Sequence, residues 1–364
     1  MRVLICDDSA FMRRAIRSML ESDPEIEVVG VAHNGEQALD LVRRHSPDVV
    51  TMDIEMPVMD GLTALRRIMA EHPTHVVMVS SLTTAGSKAA LDALRLGAAD
   101  VFAKDHSTVS ANIGEMRDDL VRRVRALAVA RKPSPRTSPA KPAGGSTTRA
   151  AARVGPAKTE TIPDVRAADV DLVVIGSSTG GPPVVERVLK AIPVGSRVPI
   201  VVAQHMPRMF TESMAARLDQ LCSVKVVHLQ PGMPLEPGAI HVAPGGENTH
   251  LKRSSSGRLT VRIDREPEGT LYFPSVDALF RSAAEAIGRK AFGVVLTGMG
   301  EDGGVGAAEL ARRGGKVVAQ EESSCVVYGM PKAVVSRNAA IASLSPQGIA
   351  ELLSRICGAA RQAA

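Results

Sequence analysis

Apolar and polar residues alternate in a regular way along the first third of the chain. Five short apolar runs, typical of buried strands, are each followed by a segment with apolar residues at helical spacing. The runs are VLIC, EVVGVA, DVVTM, HVVMVS and DVFA. Five strand–helix units predict an α/β domain over residues 1–128, with a parallel sheet covered by helices on both faces.

A similar alternation returns at about residue 167. DLVVIG, VPIVVAQH, FGVVLTG and KVVAQ are predicted strands, and helical segments follow most of them. Between them lies a strand- and turn-rich stretch with VKVVHL, GAIHVAP, HLKRSS and LTVRID. The pattern predicts a second α/β domain over residues 167–364, doubly wound and mainly parallel, with a more antiparallel insertion.

A basic segment, residues 129–166, separates the two patterned regions. It contains KPSPRTSPAKPAGG, is rich in proline, alanine and serine, and lacks apolar periodicity, which is typical of a flexible linker. Ten lysines and arginines and no acid lie between Leu120 and Thr159, which leaves 34 basic and 39 acidic residues elsewhere. The net charge of +5 is therefore local. A nucleic-acid-binding arm is the alternative, disfavoured because this stretch has no aromatic residue to stack on bases.

The cysteines, the lengths of the apolar runs and the first residues indicate the cellular compartment. The four cysteines have no CxxC spacing, which argues against a zinc site or a disulfide framework and favours a reducing cytoplasm. No apolar run is long enough to span a membrane, and the first residues, MRVLICDDS, lack the pattern of a signal peptide. We expect a cytoplasmic protein that is not inserted in a membrane.

Polar residues follow four of the five predicted N-terminal strands. Asp7 and Asp8 end the first strand, Asp53 the third and Ser80 the fourth, while Lys104 follows the fifth. Strand-end acids can simply cap the following helices. Three carboxylates at one edge of a sheet instead suit Mg²⁺, and a nearby lysine and hydroxyl suit a transient phosphoryl group. The whole set favours the second interpretation.

These segments carry a family resemblance. CDDS, TMDIEMPVMDGL, MVSS and AK resemble the signature of receiver domains of two-component response regulators, which have a flavodoxin-like (βα)5 fold. The resemblance implies that Asp53 is the phosphorylated residue and that Asp7, Asp8 and Asp53 hold Mg²⁺. Ser80 and Lys104 match the switch residues. Receivers usually have proline after this lysine, whereas this chain has Asp105. We expect this difference to alter the loop geometry or the lifetime of the acyl phosphate, but not to prevent phosphorylation.

Three polar sites follow strands of the second domain. Ser178 lies in the glycine-rich turn IGSSTGG, His205 follows VPIVVAQ, and Asp302 lies in LTGMGEDGG. Each residue alone is typical of a turn, a cap or a strand end. Together, at comparable strand ends, they are the components of a nucleophilic hydrolase. GSSTG also matches the G-x-S-x-G elbow of α/β-hydrolases, but the chain order Ser, His, Asp disfavours that fold.

A second resemblance makes the hydrolase specific. IGSSTGGP, AQHMP, VAPGG, PSVDALFRSAA, LTGMGEDG and VVYGMPK are similar to the C-terminal domain of chemotaxis protein-glutamate methylesterases, the CheB family. The resemblance implies that Ser178 is the nucleophile and that its neighbour Ser177 is not, with His205 as the base and Asp302 as the acid that orients it. Two residues that the resemblance places in the lining of the same site are Thr179 and Met299.

Two positions differ from the commonest family pattern. Phe273 stands where a basic residue is frequent, and Glu301 where a neutral or basic residue is frequent. Neither change removes a member of the Ser, His, Asp set, so we expect effects on substrate recognition and not on the chemistry.

The two resemblances together imply an enzyme switched on by phosphorylation. It would demethylate glutamate methyl esters, and deamidate specific glutamines, on methyl-accepting chemoreceptors. A chemotaxis histidine kinase would supply the phosphoryl group, Mg²⁺ would serve the receiver, and the esterase reaction would need no cofactor. The alternative is a response regulator whose output domain only binds.

Overall fold

The structure, a computed structural model, describes residues 1–104, 113–130, 132–133, 160–266 and 272–358. Its N-terminal part is a five-stranded sheet with order β2-β1-β3-β4-β5, in which all neighbours are parallel. Strands β1–β5 are Arg2–Cys6, Glu27–Ala32, Val49–Asp53, His75–Ser81 and Asp100–Lys104. Helices α1–α5 are Ala10–Leu20, Gly35–His45, Gly61–Glu71, Thr84–Leu96 and Ile113–Ala128. The predicted α/β fold is confirmed.

Helix starts in this part follow from side-chain capping. The side chains of Ser9, Asn34, Asp60 and Thr83 each accept a hydrogen bond from a backbone N–H in the first turn of α1, α2, α3 and α4. Such caps satisfy donors that would otherwise lack a partner. Because Ser9 and Asp60 are the N-caps of α1 and α3, the strand-end acids Asp7, Asp8 and Asp53 are not the N-caps of the helices that follow them.

The C-terminal part has a seven-stranded sheet of order β14-β13-β12-β6-β7-β9-β8 and a hairpin of β10 and β11. Strands β6–β14 are Leu172–Ser177, Ile200–Gln204, Val226–His228, Ile240–Val242, Asn248–Arg253, Leu259–Asp264, Ala291–Val295, Lys316–Gln320 and Ala342–Leu344. Helices α6–α11 are Gly181–Leu189, Arg208–Leu221, Val276–Ile287, Gly304–Arg312, Met330–Ser336 and Pro346–Cys357.

The insertion is less antiparallel than the pattern predicts. β8 and β9 join the main sheet in parallel register, and among the strands that the structure describes only β10 and β11 pair antiparallel. The three residues of β14 were not predicted as a strand, because so short a run carries no periodicity. None of the described helices is both long and apolar enough to cross a bilayer.

Part of the expected linker packs on the last helix. Both carboxylate oxygens of Glu160 accept hydrogen bonds from Ser345, from its N–H at 2.5 Å and its hydroxyl at 2.7 Å. Ser345 caps α11, and Val165 is buried nearby in the core. Of the remaining linker positions, 131 and 134–159 lie outside the described residues. The C-terminal core therefore includes chain from Glu160 onward.

The N-terminal and C-terminal parts contact each other through helix α4 of the first and helix α7 of the second. The hydroxyls of Ser87 and Ser213 are 2.8 Å apart, and Arg217 pairs with Asp92 at 2.8 Å. Close by, the N–H of Gly180 donates to the carbonyl of Ala99 at 3.0 Å. The N-terminal part thus touches the turn that follows β6.

β6 lies at the centre of the larger sheet, between β12 and β7. A Cβ built on Gly176 of β6 would lie 2.2 Å from a γ-carbon of Val276, the first residue of α8. Glycine at this position therefore lets the start of α8 approach the strand closely.

Replacing this glycine should destabilise the C-terminal part. We expect Gly176→Ala to lower its free energy of unfolding by about 1–3 kcal/mol, because the new methyl overpacks the contact with Val276. Urea unfolding followed by tyrosine fluorescence is selective, since the chain has no tryptophan and its two tyrosines are Tyr272 and Tyr328. Val276→Ala removes the clashing carbons, so the double variant should lose less than the sum of the single losses. Strict additivity would contradict this explanation.

Candidate functional site

Acidic side chains meet one lysine at the carboxyl edge of the five-stranded sheet. Lys104 Nζ lies 2.8 Å from Asp7 Oδ2 and 2.7 Å from Asp53 Oδ2. One carboxylate oxygen from each of Asp7, Asp8 and Asp53 lies within 4.8 Å of the others. The structure brings these four predicted residues together, and the oxygen set suits a hard divalent cation.

Burial and charge set the protonation of this cluster. Burial raises the pKa of Asp53, and although the ammonium of Lys104 opposes the shift, the pKa stays above its ordinary value. Burial acts to lower the pKa of Lys104, but hydrogen bonds to Asp53 and Asp7 outweigh it and raise that pKa. Lys104 is therefore held as a cation beside the carboxylates.

Ser80 is hydrogen-bonded to the start of α4. It lines the same cleft as Asp53 and Lys104, but its hydroxyl donates to the carbonyl of Gly86, in the first turns of α4, at 3.0 Å. The structure therefore places the predicted switch residue near the cluster but bonds it to α4. Asp105, the departure noted after Lys104, lies outside the described residues.

At the end of β6 the two adjacent serines differ in burial. Ser177 is fully buried, whereas Ser178 retains 6% of its surface. The Ser178 N–H donates to the carbonyl of Thr297 at 3.1 Å, which ties the turn to the end of β12. Of the two hydroxyls, only that of Ser178 reaches the surface.

His205 lies beside this turn because β7 is the neighbour of β6. Its N–H donates to the carbonyl of Ser177 at 3.0 Å, which continues the ladder between the strands. Its ring Nε2 lies 2.8 Å from Asp302 Oδ2. With Nε2–H donated to the carboxylate, Nδ1 carries the lone pair and is the basic nitrogen.

Asp302 is held by the start of α8. Its carboxylate accepts hydrogen bonds from the N–H groups of Val276 at 2.7 Å and Asp277 at 2.9 Å, and from the hydroxyl of Ser275 at 3.0 Å. Burial acts to raise the pKa of Asp302, but the hydrogen bond to His205 and the backbone donors outweigh it and lower that pKa. The group is a carboxylate at neutral pH, stabilised by the helix N-terminus.

A second carboxylate, that of Asp277, bonds the start of the neighbouring helix α9. Asp277, in the first turn of α8, accepts from the N–H of Gly303 at 3.0 Å and of Gly306 at 2.6 Å, at the start of α9. Burial raises the pKa of Asp277 against these donors. The loop bearing Asp302 is thus fixed from both ends. Asp277 was not predicted as a site residue; its position two residues after an N-cap serine was the available signal.

The hydrogen bond between histidine and serine that completes a Ser–His–Asp set is not formed in this structure. Nδ1 of His205 is buried and makes no hydrogen bond among the described residues, so the ring is bonded to Asp302 but not to Ser178. Catalytic hydrogen bonds are often longer without substrate. The arrangement has the parts for acyl transfer: an accessible hydroxyl, an oriented imidazole base and a fixed carboxylate.

The two predicted lining residues lie at this edge. Thr179 follows Ser178, and its carbonyl accepts from the hydroxyl of Thr297 at 3.0 Å. Its own hydroxyl donates across to Asp100 of β5 at 2.5 Å. Met299 is buried in the turn after β12. The contact with Asp100 could not be predicted, since nothing local to either residue signals it.

Comparison with known proteins assigns both parts. The family model for CheB methylesterase matches residues 173–353, and that for the response regulator receiver domain matches residues 3–110. Protein-glutamate methylesterase/protein-glutamine glutaminase 1 of Oleidesulfovibrio alaskensis is 48% identical over 344 residues, which cover 92% of this chain and 93% of that protein. Protein-glutamate methylesterase/protein-glutamine glutaminase 2 of Nitratidesulfovibrio vulgaris is 45% identical over 341 residues, again covering 92% and 93%.

A solved structure supports the C-terminal fold. The crystal structure of the Thermotoga maritima CheB methylesterase catalytic domain superimposes with a TM-score of 0.50 at 38% identity, covering 51% of this chain and 98% of that one. The match to a catalytic family disfavours the alternative of an output domain that only binds. Both sequence resemblances are confirmed: the chain belongs to the family of CheB methylesterases that carry a response regulator receiver domain.

Proposed function

We propose that this protein hydrolyses methyl esters of glutamate side chains on chemoreceptors, and the amides of specific glutamines, with Ser178, His205 and Asp302 as the catalytic set. The observation that carries the proposal is the 2.8 Å contact between His205 and a helix-capping Asp302, beside the turn in which Ser178 retains 6% of its surface. The names of the relatives supply the substrate class.

Acylation uses the free nitrogen of His205. Ser178 Oγ attacks the ester carbonyl while Nδ1 takes its proton, and Asp302 stabilises the imidazolium that forms. The proton then passes to the departing methoxide, and methanol leaves. Backbone donors must hold the oxyanion. Because the Ser178 N–H is bonded to Thr297, we expect the donors to come from the neighbouring glycine-rich turns, near Ser178 and Met299.

Deacylation repeats the same proton path with water. Nδ1 takes a proton from water, whose oxygen attacks the acyl carbon. The C–O bond to Ser178 Oγ then breaks, Nδ1 returns the proton to Oγ, and glutamate is released as its carboxylate. With glutamine the first leaving group is ammonia and the second half is unchanged. The esterase steps as proposed need only side chains, backbone donors and water.

The receiver supplies control through its acidic cluster. Asp53 would accept the phosphoryl group from a chemotaxis histidine kinase, and Asp7, Asp8 and Asp53 fit Mg²⁺, which would neutralise charge there. Lys104 would pair with the phosphoryl oxygens. Ser80 would leave the carbonyl of Gly86 to bond them, which removes a contact at the start of α4.

That change lies next to the contact with the esterase. Ser87 adjoins Gly86 and bonds Ser213 of α7, while Asp100 and Ala99 hold Thr179 and Gly180 beside the nucleophile. The unphosphorylated receiver in this position would block a bulky helical substrate. Phosphorylation would favour the undocked arrangement. The size of its effect is set by how much it changes the free-energy difference between the docked and undocked arrangements.

We place the boundaries of this machinery at residues 1–128 for the receiver, 129–166 for the linker and 167–364 for the esterase, with the last part of the linker, from Glu160, packed on the esterase. The site of action would be the cytoplasm, where receptor helices and kinase meet. The four cysteines are free thiols, which is compatible with a reducing compartment.

Substitution of the paired serines tests the nucleophile. Ser178→Ala should lower methanol release from methylated receptor membranes by at least about 10³-fold, since the set acts as a unit. Ser177→Ala is the matched control and should retain most activity, because that hydroxyl is fully buried. Equal losses in both variants would refute the assignment.

Removal of the receiver tests the control. A fragment beginning at Glu160, which keeps the contacts with α11, should demethylate without a phosphodonor. The full-length protein should need acetyl phosphate as phosphodonor to reach a comparable rate. The full-length Asp53→Ala variant should stay at the basal rate even when acetyl phosphate is present. The measurement is the initial rate of methanol release for each protein with and without donor. If the fragment is no faster than the unphosphorylated full-length enzyme, blocking by the receiver is wrong.

A further inference from the structure

Tyr272 lies flat against the proposed base. Its ring and the imidazole of His205 are stacked, with centroids 4.6 Å apart and an angle of 3° between planes. Tyr272 also lines a cleft of about 640 Å³ that includes Asp302 and Asp277. Tyr272 therefore covers one face of the His205 imidazole and lies near the residues that orient that base.

A glycine leaves room for this ring. Gly300 has φ +78°, which disfavours other residues, and a Cβ there would lie 3.0 Å from the Tyr272 hydroxyl. Glycine at position 300, in the turn that carries Asp302, therefore leaves space for the Tyr272 ring.

The stack supplies a constraint that Asp302 does not. A single hydrogen bond at Nε2 fixes one atom of the imidazole and leaves the ring plane able to turn about it. A parallel aromatic ring fixes the plane and so the direction in which Nδ1 points. Its negative π-face also favours the imidazolium that forms during proton transfer.

The receiver contacts the same ring. The guanidinium carbon of Arg122, on α5, lies 5.5 Å from the centroid of Tyr272. Arg122 also bonds its own helix, through the carbonyl of Asp118 at 3.2 Å. In the docked arrangement a fixed cation therefore shares the aromatic ring that stacks on His205.

We infer that Tyr272 is a positioning residue for His205, and that Arg122 of the docked receiver engages this ring to favour the inactive arrangement. The inference rests on the proposed function, because the role of the stack is to direct a base. It adds a residue outside the Ser, His, Asp set and a specific link to the receiver.

Kinetics of the phosphorylated full-length enzyme test the positioning role. Tyr272→Leu should lower kcat about 10- to 100-fold with KM within about twofold, since a misdirected base costs rate and not binding. Tyr272→Phe keeps the aromatic face and should stay within about twofold of the wild type. An unchanged kcat in Tyr272→Leu, a loss confined to KM, or an equal loss in Tyr272→Phe would overturn the inference.

A readout independent of activity separates this inference from the proposed function. Imidazole nitrogen shifts of His205, identified by their loss in His205→Gln, should show a protonated Nε2 and a free Nδ1 in the wild type and in Tyr272→Phe. Tyr272→Leu should keep the protonated Nε2 but show broadened or multiple imidazole signals, because the ring adopts more than one orientation. Equally sharp, single signals in all three would overturn the positioning role, whereas an enzyme that releases no methanol would refute the proposed function alone.

The link to the receiver is tested without phosphodonor. Arg122→Gln should raise the basal rate about two- to fivefold, as expected for loss of one cation–π contact in the docked state. Arg117→Gln, on the same helix but paired with Asp118, is the control and should not. The gain should vanish in a Tyr272→Leu background. A gain that persists there, or that equals the control's, would overturn the link.

Discussion

The site depends on an exchange of carboxylates between two helix starts. Asp302, from the turn before α9, caps α8, and Asp277, from α8, caps α9. A charge near a helix N-terminus is stabilised by about 0.3–1 kcal/mol when exposed and up to about 2 kcal/mol when partly buried. The orientation of Asp302 is therefore fixed by main-chain donors before any histidine or substrate is considered.

This arrangement explains why a buried acid can serve His205 without becoming neutral. Desolvation alone would favour the protonated form of Asp302, which carries no charge to stabilise the imidazolium of His205. The donors of α8, with the imidazole itself, reverse that preference and lower its pKa. The close approach of α8 to β6 at Gly176 brings these donors within reach. The packing of α8 against β6 and the ionised state of Asp302 therefore depend on each other.

Sequence patterns predicted what is local and periodic. The strand ends that carry Ser178, His205 and Asp302 follow from short apolar runs, and family resemblance supplied their proposed roles. The patterns did not predict that β8 and β9 join the main sheet, since pairing partners are not encoded in a strand's own periodicity. Tyr272 was missed for a related reason: its stack on His205 joins residues 67 positions apart.

The contact between receiver and esterase combines polar and apolar parts, and this combination determines how control can work. Arg217 and Asp92 are partly exposed, and such ion pairs contribute about 0–1 kcal/mol. Buried apolar residues of the two parts belong to one cluster, and Val326 and Val327 also pack against the receiver core. Each 1.4 kcal/mol by which phosphorylation favours one arrangement changes the ratio of docked to undocked protein tenfold. Loss of polar contacts at α4 would shift this ratio only by their own free energy while the apolar contact still favours docking, so control would be graded and not absolute.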